Sequence, residues 1–309
     1  MIEVIRMEQG VNFQKKPRKS QLKKKLTRSK YQKQRRKAMR RTRLRPWAFV
    51  VLVLIFSSIL VVNLYFIFDW GKDNKNINDL EKQLEKIVEV VEITDEGEAV
   101  NPPDDKNSDY WYYMDVPFYD VDFSQLLKKN PDTVAFINVK GTNINYPIVQ
   151  TKDNDYYLTH AFDKSYNEAG WVFLDYRNSE GFNDFNTIVY GHGRLNKTVF
   201  GSLRNILNKS WQNNKDNYTL TISTPTVNYV YQIFSVYSIE SETYYIKTLF
   251  KSDESKTTWI NEMNKRNISP IKADANINDK IVTLSTCLND KGGRVVLHAK
   301  LIKQQAKTA

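Results

Sequence analysis

The sequence predicts a mainly β domain of about eight strands, a barrel or a sandwich, behind one N-terminal membrane helix. Two observations carry this prediction. One is an uncharged run of 23 residues, Pro46–Phe68, and the other is a series of short runs dense in β-branched and aromatic residues after Tyr110. The expected order is a basic tail (1–45), the membrane helix (46–68), a helical stalk with an acidic linker (69–109) and the β domain (110–309).

Charge divides the chain into two unlike parts. The net charge is +11, but residues 1–45 hold 18 Lys and Arg against two acids, while the remainder holds 28 basic and 33 acidic residues. A very basic tail is therefore joined to a mildly acidic body. No aromatic stacking pattern or finger motif accompanies the basic residues, which favours contact with anionic membrane lipid over nucleic acid.

The uncharged run is typical of an uncleaved membrane span. A helix needs about 20 apolar residues to cross the hydrocarbon core. A core helix rarely continues this long without a polar face, and a signal peptide has a shorter apolar region of about 7–15 residues. Trp47 and Trp70 suit the two membrane interfaces. Because four arginines precede the span, the N-terminus is expected in the cytoplasm and the body outside, single-pass in the cell membrane.

The segment after the span predicts a helix and then a linker. In Asn76–Ile93 apolar residues recur at helical spacing, which indicates one apolar stripe packed on the body, in a repeat too short for a coiled coil. The stripe consists of Ile77, Leu80, Leu84, Ile87 and Val91. Thr94–Asp109 is rich in acids and contains two adjacent prolines, so we expect a flexible linker there.

The body alternates strand-like runs with turn residues, and two stretches, Val121–Thr133 and Lys251–Asn267, are helical in pattern. The second of these helices separates the last two strands from the others. The eight predicted strands are Val134–Val139, Tyr146–Gln150, Gly170–Tyr176, Asn186–Gly191, Tyr218–Thr224, Val227–Ile239, Asp279–Thr286 and Arg294–Ile302.

The one cysteine of the chain, Cys287, directly follows a predicted strand. A lone cysteine is usually a small buried hydrophobe, and it acts as a nucleophile only where a base and a cation assist its thiolate. A turn at Gly292-Gly293 predicts a hairpin that brings Arg294 back beside Cys287. A guanidinium there could lower the thiol pKa or donate hydrogen bonds to an oxyanion.

Three histidines compete for the role of base. His160 lies in a surface-like stretch, and His298 alternates within a strand, where filling one face is the expected role. His192 ends a strand between two glycines, which suits a side chain aimed into a site. Because Arg294 stays protonated, proton transfer falls to His192. Together with Cys287 these residues could form a site for acyl transfer through a thioester.

Metal binding finds no support in the sequence. One cysteine and three scattered histidines lack the paired spacing of zinc ligands. We therefore expect no metal and no cofactor.

The chain contains the motifs TLSTC at 283–287 and YGHG at 190–193, followed by Arg294. These features resemble those of the sortases, membrane-anchored cysteine transpeptidases of Gram-positive bacteria. The resemblance covers roughly residues 110–303 and is greatest for class B, through Asn130–Leu158, Phe173–Asn178, Val199–Asn205 and the helix at 251–267. It implies an eight-stranded sortase-type β-barrel with a few peripheral helices and a Cys287–His192–Arg294 site.

The resemblance also implies a reaction. Cys287 would attack a Thr–Gly or Thr–Asn type bond in the C-terminal sorting signal of a secreted protein, and His192 would protonate the leaving amine and deprotonate the incoming one. Arg294 would hold the substrate and stabilise the oxyanion. Ser285 and Thr286 match positions that line the substrate groove. The acceptor would be an amine of a peptidoglycan cross-bridge, which anchors the protein to the cell wall, or a pilin lysine, which polymerises subunits.

Two other classes of protein fit less well. L,D-transpeptidases also use Cys and His, but their His-Gly pair shortly precedes the Cys, whereas here 95 residues separate His192 from Cys287. A membrane-tethered scaffold with an inactive sortase-like fold would have lost at least one of the three chemical groups. All three are present.

Overall fold

The computed structural model describes residues 27–37, 45–94, 97–240, 242–287 and 293–307, and of Cys287 it describes the backbone. Most of the basic tail and part of the turn predicted at Gly292-Gly293 lie outside this range. The chain separates into two compact units, Met1–Phe68 and Asp69–Ala309. The division falls where the uncharged run ends. The predicted domain boundaries stay predictions.

The first unit contains an exposed helix, α1 (27–37), and the uncharged run Pro46–Phe68, which forms the first part of helix α2 (Pro46–Ile87). Nearly all of the 23 uncharged residues of α2 expose their side chains, which include Phe, Leu, Ile and Val at 37% exposure or more. Exposed apolar side chains over this length are unfavourable in water and match the lipid interior. By length and composition α2 fits the predicted membrane helix.

The second unit is built on β-strands with short helices at the periphery. Its strands are β1 (Val90–Ile93), β2 (Glu98–Ala99), β3 (Phe118–Val121), β4 (Thr133–Val139), β5 (Asn145–Val149), β6 (Phe173–Leu174), β7 (Asn186–Gly191), β8 (Thr219–Ser223), β9 (Val227–Ile239), β10 (Ile281–Cys287) and β11 (Arg294–Ala306). Its further α-helices are α3 (Asp109–Tyr113), α4 (Ser124–Lys129), α5 (Lys209–Gln212) and α6 (Asp253–Lys265).

Eight of these strands close into a barrel. They are hydrogen-bonded in the order β10-β7-β6-β5-β4-β8-β9-β11, and β10 pairs again with β11. The pairs β5–β6 and β7–β10 are parallel and the other barrel pairs are antiparallel. Closure pairs every backbone edge of the strands and encloses the side chains of one face. All eight predicted strands are present, and the barrel prediction is confirmed.

Helix α6 occupies the predicted helical insertion between β9 and β10. The side-chain oxygen of Ser252 accepts a hydrogen bond from the backbone N–H of Ser255 and caps its first turn. Trp259, Ile260 and Met263 lie on one face and are buried against the barrel wall. Burial of each such side chain stabilises the packing by roughly 1.5–3 kcal/mol.

The predicted stalk helix packs on the barrel but is shorter than expected. Ile77, Leu80 and Leu84 are buried as the stripe predicts. The helix ends at Ile87, however, and Val90–Ile93 pairs with β3 instead of continuing it. The β-branched sequence VVEI favours an extended backbone, and β3 supplies the ladder hydrogen bonds.

The segment predicted as a linker also joins the sheet, because Glu98 and Ala99 of β2 pair with Gln304 and Lys303 of β11.

One polar chain crosses the interior and includes His298, which is fully buried. Its Nε2 lies 2.8 Å from the Tyr237 hydroxyl and its Nδ1 lies 2.8 Å from the Thr283 hydroxyl. Thr283 donates its single hydrogen to Asn186 Oδ1 at 2.6 Å. Nδ1–H therefore donates to Thr283. Because burial disfavours the imidazolium form, the ring is neutral and Nε2 accepts from the Tyr237 hydroxyl. The prediction that His298 fills one face of a strand is confirmed.

This histidine makes stability depend on pH. Burial, aided by the charge of Arg266, lowers the pKa of His298 from 6.5 to about 3. In the unfolded chain His298 binds a proton below about pH 6.5, whereas in the folded chain it stays neutral down to about pH 3. The free energy of unfolding is therefore highest above pH 6.5 and falls as the pH is lowered towards 3. Urea unfolding should give a free energy about 2 kcal/mol lower near pH 5 than near pH 7 from this group.

Substitution isolates the effect. In His298→Gln the pH-dependent loss should disappear, whereas it should persist in His160→Gln, at a histidine that is only partly buried. If the free energy of unfolding falls equally between pH 7 and pH 5 in wild type and in His298→Gln, His298 is not the source of the pH dependence.

Candidate active site

The ends of β7, β10 and β11 bring the three residues of the predicted site to neighbouring backbone positions. In the parallel pair β7–β10 the last partners are Gly191 and Thr286, so His192 and Cys287 are the next residues on the two chains. In the antiparallel pair β10–β11, Cys287 is the partner of Arg294, as the predicted hairpin requires. Neighbouring strands lie about 4.8 Å apart. Cys287 thus ends the middle strand, with His192 on one side and Arg294 on the other.

His192 is held in one tautomer by a backbone carbonyl. Its Nε2 lies 2.9 Å from the carbonyl oxygen of Leu158. Because a carbonyl oxygen only accepts, Nε2 carries the hydrogen and donates it. Nδ1 therefore carries the lone pair of the neutral ring and is the nitrogen that can take up a proton.

The glycines on either side of His192 allow close packing of its loop. A Cβ at Gly191 would lie 2.6 Å from the ring of Phe200, too close for any side chain. The carbonyl of Gly193 accepts a hydrogen bond of 2.9 Å from Arg204 Nη2. The carbonyl of His192 itself accepts from the N–H of Phe200 at 3.1 Å. The backbone at the histidine is therefore fixed from several directions.

Gly170 lies against the imidazole. Its φ is +58°, and a Cβ there would lie 2.9 Å from Cδ2 of His192. The same Cβ would lie 2.5 Å and 2.8 Å from the carbonyl oxygens of Tyr157 and Leu158. Glycine adopts this left-handed conformation without strain and leaves room for the ring.

A buried carboxylate supports the end of β7. Asp175 is fully buried and receives hydrogen bonds of 2.8 Å and 2.6 Å from Nε and Nη2 of Arg177. The Tyr190 hydroxyl donates to the same carboxylate at 3.0 Å. Burial alone raises the pKa of Asp175, but the hydrogen bonds and charge of Arg177 outweigh it and leave the pKa below its ordinary value. Asp175 is therefore ionised, and it anchors the strand two residues before His192.

The other predicted site residues lie in the barrel wall. Arg294 is partly buried, and its Nη1 donates to the carbonyl of Gly293 at 3.1 Å. Ser285 and Thr286, predicted to line the substrate groove, are each only 3% exposed. The Ser285 hydroxyl lies 2.8 Å from the hydroxyl of Tyr245. Their contact with substrate stays a prediction.

Among the described residues, no group of three or more His, Cys, Asp or Glu side chains could hold a metal ion.

Sequence reasoning missed the residues that hold His192. The Leu158 carbonyl and Gly170 come from a segment more than 20 residues before it, and backbone contacts of this kind leave no side-chain signature. The one signal was the glycine that begins the predicted strand Gly170–Tyr176, because a glycine in a strand pattern can mark a close backbone approach.

Comparison with known proteins identifies the family of the chain. A family model described as a sortase domain matches residues 137–302. Sortase B of Listeria monocytogenes is 36% identical over 180 residues, which cover 57% of this chain and 72% of that protein. Sortase B of Staphylococcus aureus is 32% identical over 184 residues, which cover 59% and 75%.

Solved structures give the same result. Sortase B from Bacillus anthracis aligns with a TM-score of 0.59 and 32% identity over 77% of this chain and 99% of that one. Sortase B from Clostridium perfringens aligns with a TM-score of 0.55 and 34% identity over 59% and 100%. The chain therefore belongs to the sortase family, with class B relatives, and is a cysteine transpeptidase.

Gly170→Ala tests the support of the imidazole. The added methyl group cannot fit without moving His192 or the Leu158 carbonyl, and the positive φ adds strain. We expect a loss of about 1–3 kcal/mol in the free energy of unfolding and at least ~10-fold in transpeptidation per folded molecule.

Gly71→Ala is the matched control, because nothing lies within 4 Å of a Cβ there. It should be neutral or slightly stabilising in its helix. Wild-type activity and stability in Gly170→Ala would contradict the described packing.

Proposed function

We propose that Cys287 is the nucleophile, His192 the general acid and base, and Arg294 the group that stabilises the oxyanion. The observation that carries this proposal is the strand register, in which Cys287 pairs with Arg294 and follows the Thr286–Gly191 pair. A thiol needs a base for its proton and positive charge for its thiolate, and these two neighbours supply them.

Acylation proceeds with His192 as proton carrier. Nδ1 of His192 takes the thiol proton, and the Cys287 sulfur attacks the carbonyl carbon of the scissile peptide bond. The guanidinium of Arg294 donates hydrogen bonds to the oxyanion that forms. When the C–N bond breaks, the imidazolium returns its proton to the leaving amine, and the substrate is held as a thioester.

Deacylation reverses the proton flow. An incoming amine attacks the thioester carbon, His192 takes its proton, and the new amide leaves as the Cys287 sulfur is released and reprotonated.

Sortase B of Staphylococcus aureus has been solved in complex with a substrate, and a sortase B has been solved in complex with triglycine, which ends in a primary amine. We assign the substrate to the class of secreted proteins with C-terminal sorting signals, and the acceptor to a peptidoglycan amine, which anchors the protein to the cell wall.

The proposal includes attachment to the membrane through the apolar part of α2. Basic residues concentrate before this segment, so the N-terminus belongs in the cytoplasm and the catalytic domain outside. The basic tail then acts as an orientation signal and contacts anionic lipid. An enzyme held there meets its protein substrates as they leave the cell.

Ser285 and Thr286 are assigned to the wall beneath the substrate. Both directly precede the nucleophile and are buried, and the hydrogen bond between Ser285 and Tyr245 orders this wall.

The proposal is tested with the full chain in detergent micelles. Peptides that carry Thr–Gly or Thr–Asn bonds are incubated with triglycine or a lysine-containing pilin peptide. Cys287→Ala should abolish cleavage, because no other thiol exists in the chain. Arg294→Lys should reduce kcat/KM at least ~10-fold, because an ammonium lacks the planar fork of the guanidinium.

Arg35→Lys is the control, since Arg35 is exposed on α1. Cleavage that persists in Cys287→Ala, or no cleavage of any peptide, would refute the proposed mechanism. Transfer to the lysine peptide but not to triglycine would replace the cell-wall acceptor with a pilin acceptor.

A further inference from the structure

Asn74 of α2 contacts the loop that begins at His192. Its side-chain oxygen Oδ1 accepts hydrogen bonds from Nη2 of Arg194 and, at 3.0 Å, from Nδ2 of Asn196. Arg194 lies two residues beyond His192, and its backbone N–H donates to the carbonyl of His192 at 3.1 Å. One helix side chain therefore ties down the loop on the C-terminal side of the histidine.

The preceding residue, Asp73, contacts the segment on the other side of the ring. Its carboxylate accepts the backbone N–H of Glu168 at 3.2 Å, and its carbonyl accepts from the side chain of Asn167 at 3.2 Å. The carbonyl of Asn167 in turn accepts the N–H of Gly170 at 2.9 Å. Because Gly170 packs against the imidazole of His192, this second attachment reaches the ring face.

Charge favours the same arrangement. The guanidinium of Arg194 is partly buried, and the carboxylates of Asp73, Glu168 and Glu81 interact favourably with it. A partly buried cation needs hydrogen-bond acceptors as well as opposite charge. Without the Asn74 oxygen, the guanidinium must find another acceptor, and the loop that carries it must move.

Burial of the helix fixes where Asn74 and Asp73 lie. Ile77, Leu80 and Leu84 anchor the next two turns of α2 in the core. The side chain of Glu81 on the same helix accepts a hydrogen bond of 2.7 Å from the Tyr146 hydroxyl of β5. A helix anchored in this way cannot slide without losing these contacts, so it forms a rigid support for the histidine loop.

We propose that Asn74 and Asp73 are positioning residues for His192, so that the first turns of α2 beyond the apolar segment set the orientation of the imidazole. The inference rests on the proposed acid–base role of His192. Neither residue touches the reacting atoms. Both act through the two chain segments that enclose the ring, and the rate of the chemical step depends on them.

The test uses the full chain in detergent micelles, with triglycine and the same sorting peptides. Asn74→Ala should lower kcat at least ~10-fold, because small displacements of a catalytic group are costly. The KM for peptide should change less than ~2-fold, because no substrate contact is lost. The limb of the pH–kcat profile that reports the ionisation of His192 should shift along the pH axis. Asn74→Asp keeps an oxygen acceptor for Arg194 and Asn196 and should restore most of kcat.

Asn78→Ala is the matched control, since Asn78 is exposed one turn further along the same helix. It should retain wild-type kcat, KM and pH profile. If Asn74→Ala behaves like Asn78→Ala while His192→Ala is inactive, the inference is overturned and the proposed function stands. If His192→Ala is fully active, the proposed function itself fails. If Asn74→Ala loses stability and activity in proportion, with an unchanged pH profile and no rescue by Asn74→Asp, its role is only structural and the inference is overturned.

Discussion

The pairing of β10 with β7 on one side and β11 on the other is the constraint on which the site depends. These two ladders close the barrel, and they run in register to the last residues of β10. His192 and Cys287 are 95 residues apart in the sequence, so only the parallel pairing makes them neighbours. The antiparallel pairing then adds Arg294. A one-residue slip in either ladder would turn the side chains to the opposite face and separate the groups.

Buried polar networks keep this register in place. Thr283 of β10 joins Asn186 of β7 and His298 of β11 through one chain of hydrogen bonds, so the three strands are tied together below the site. Nearer the site, Asp175 ties the end of β7 to Arg177. A fully satisfied polar network is compatible with only one alignment of the strands, whereas apolar contacts tolerate several.

The predictable and unpredictable parts of the structure differ in physical origin. The eight strands follow from local composition. The pairing of Cys287 with Arg294 follows from the short glycine-containing turn that the sequence predicts between them. The sequence does not predict the strand Val90–Ile93, because the helical spacing of apolar residues continues through it. Its partner strand, β3, begins 25 residues after it ends. The Leu158 carbonyl and the Asn74 contact were missed for a similar reason, since both are tertiary contacts that no local pattern encodes.

The most direct test of the central claim is a disulfide between the two strand ends. Cα atoms on neighbouring strands, about 4.8 Å apart, fall within the range of about 4.4–6.8 Å that a disulfide bridges. Because Cys287 is the one native cysteine, His192→Cys creates a single possible intramolecular pair. Under a mild oxidant this variant should lose both thiols and two mass units. Leu195→Cys, at a side chain that is 82% exposed, should retain both thiols. Two reactive thiols in oxidised, folded His192→Cys would contradict the register and the site built on it.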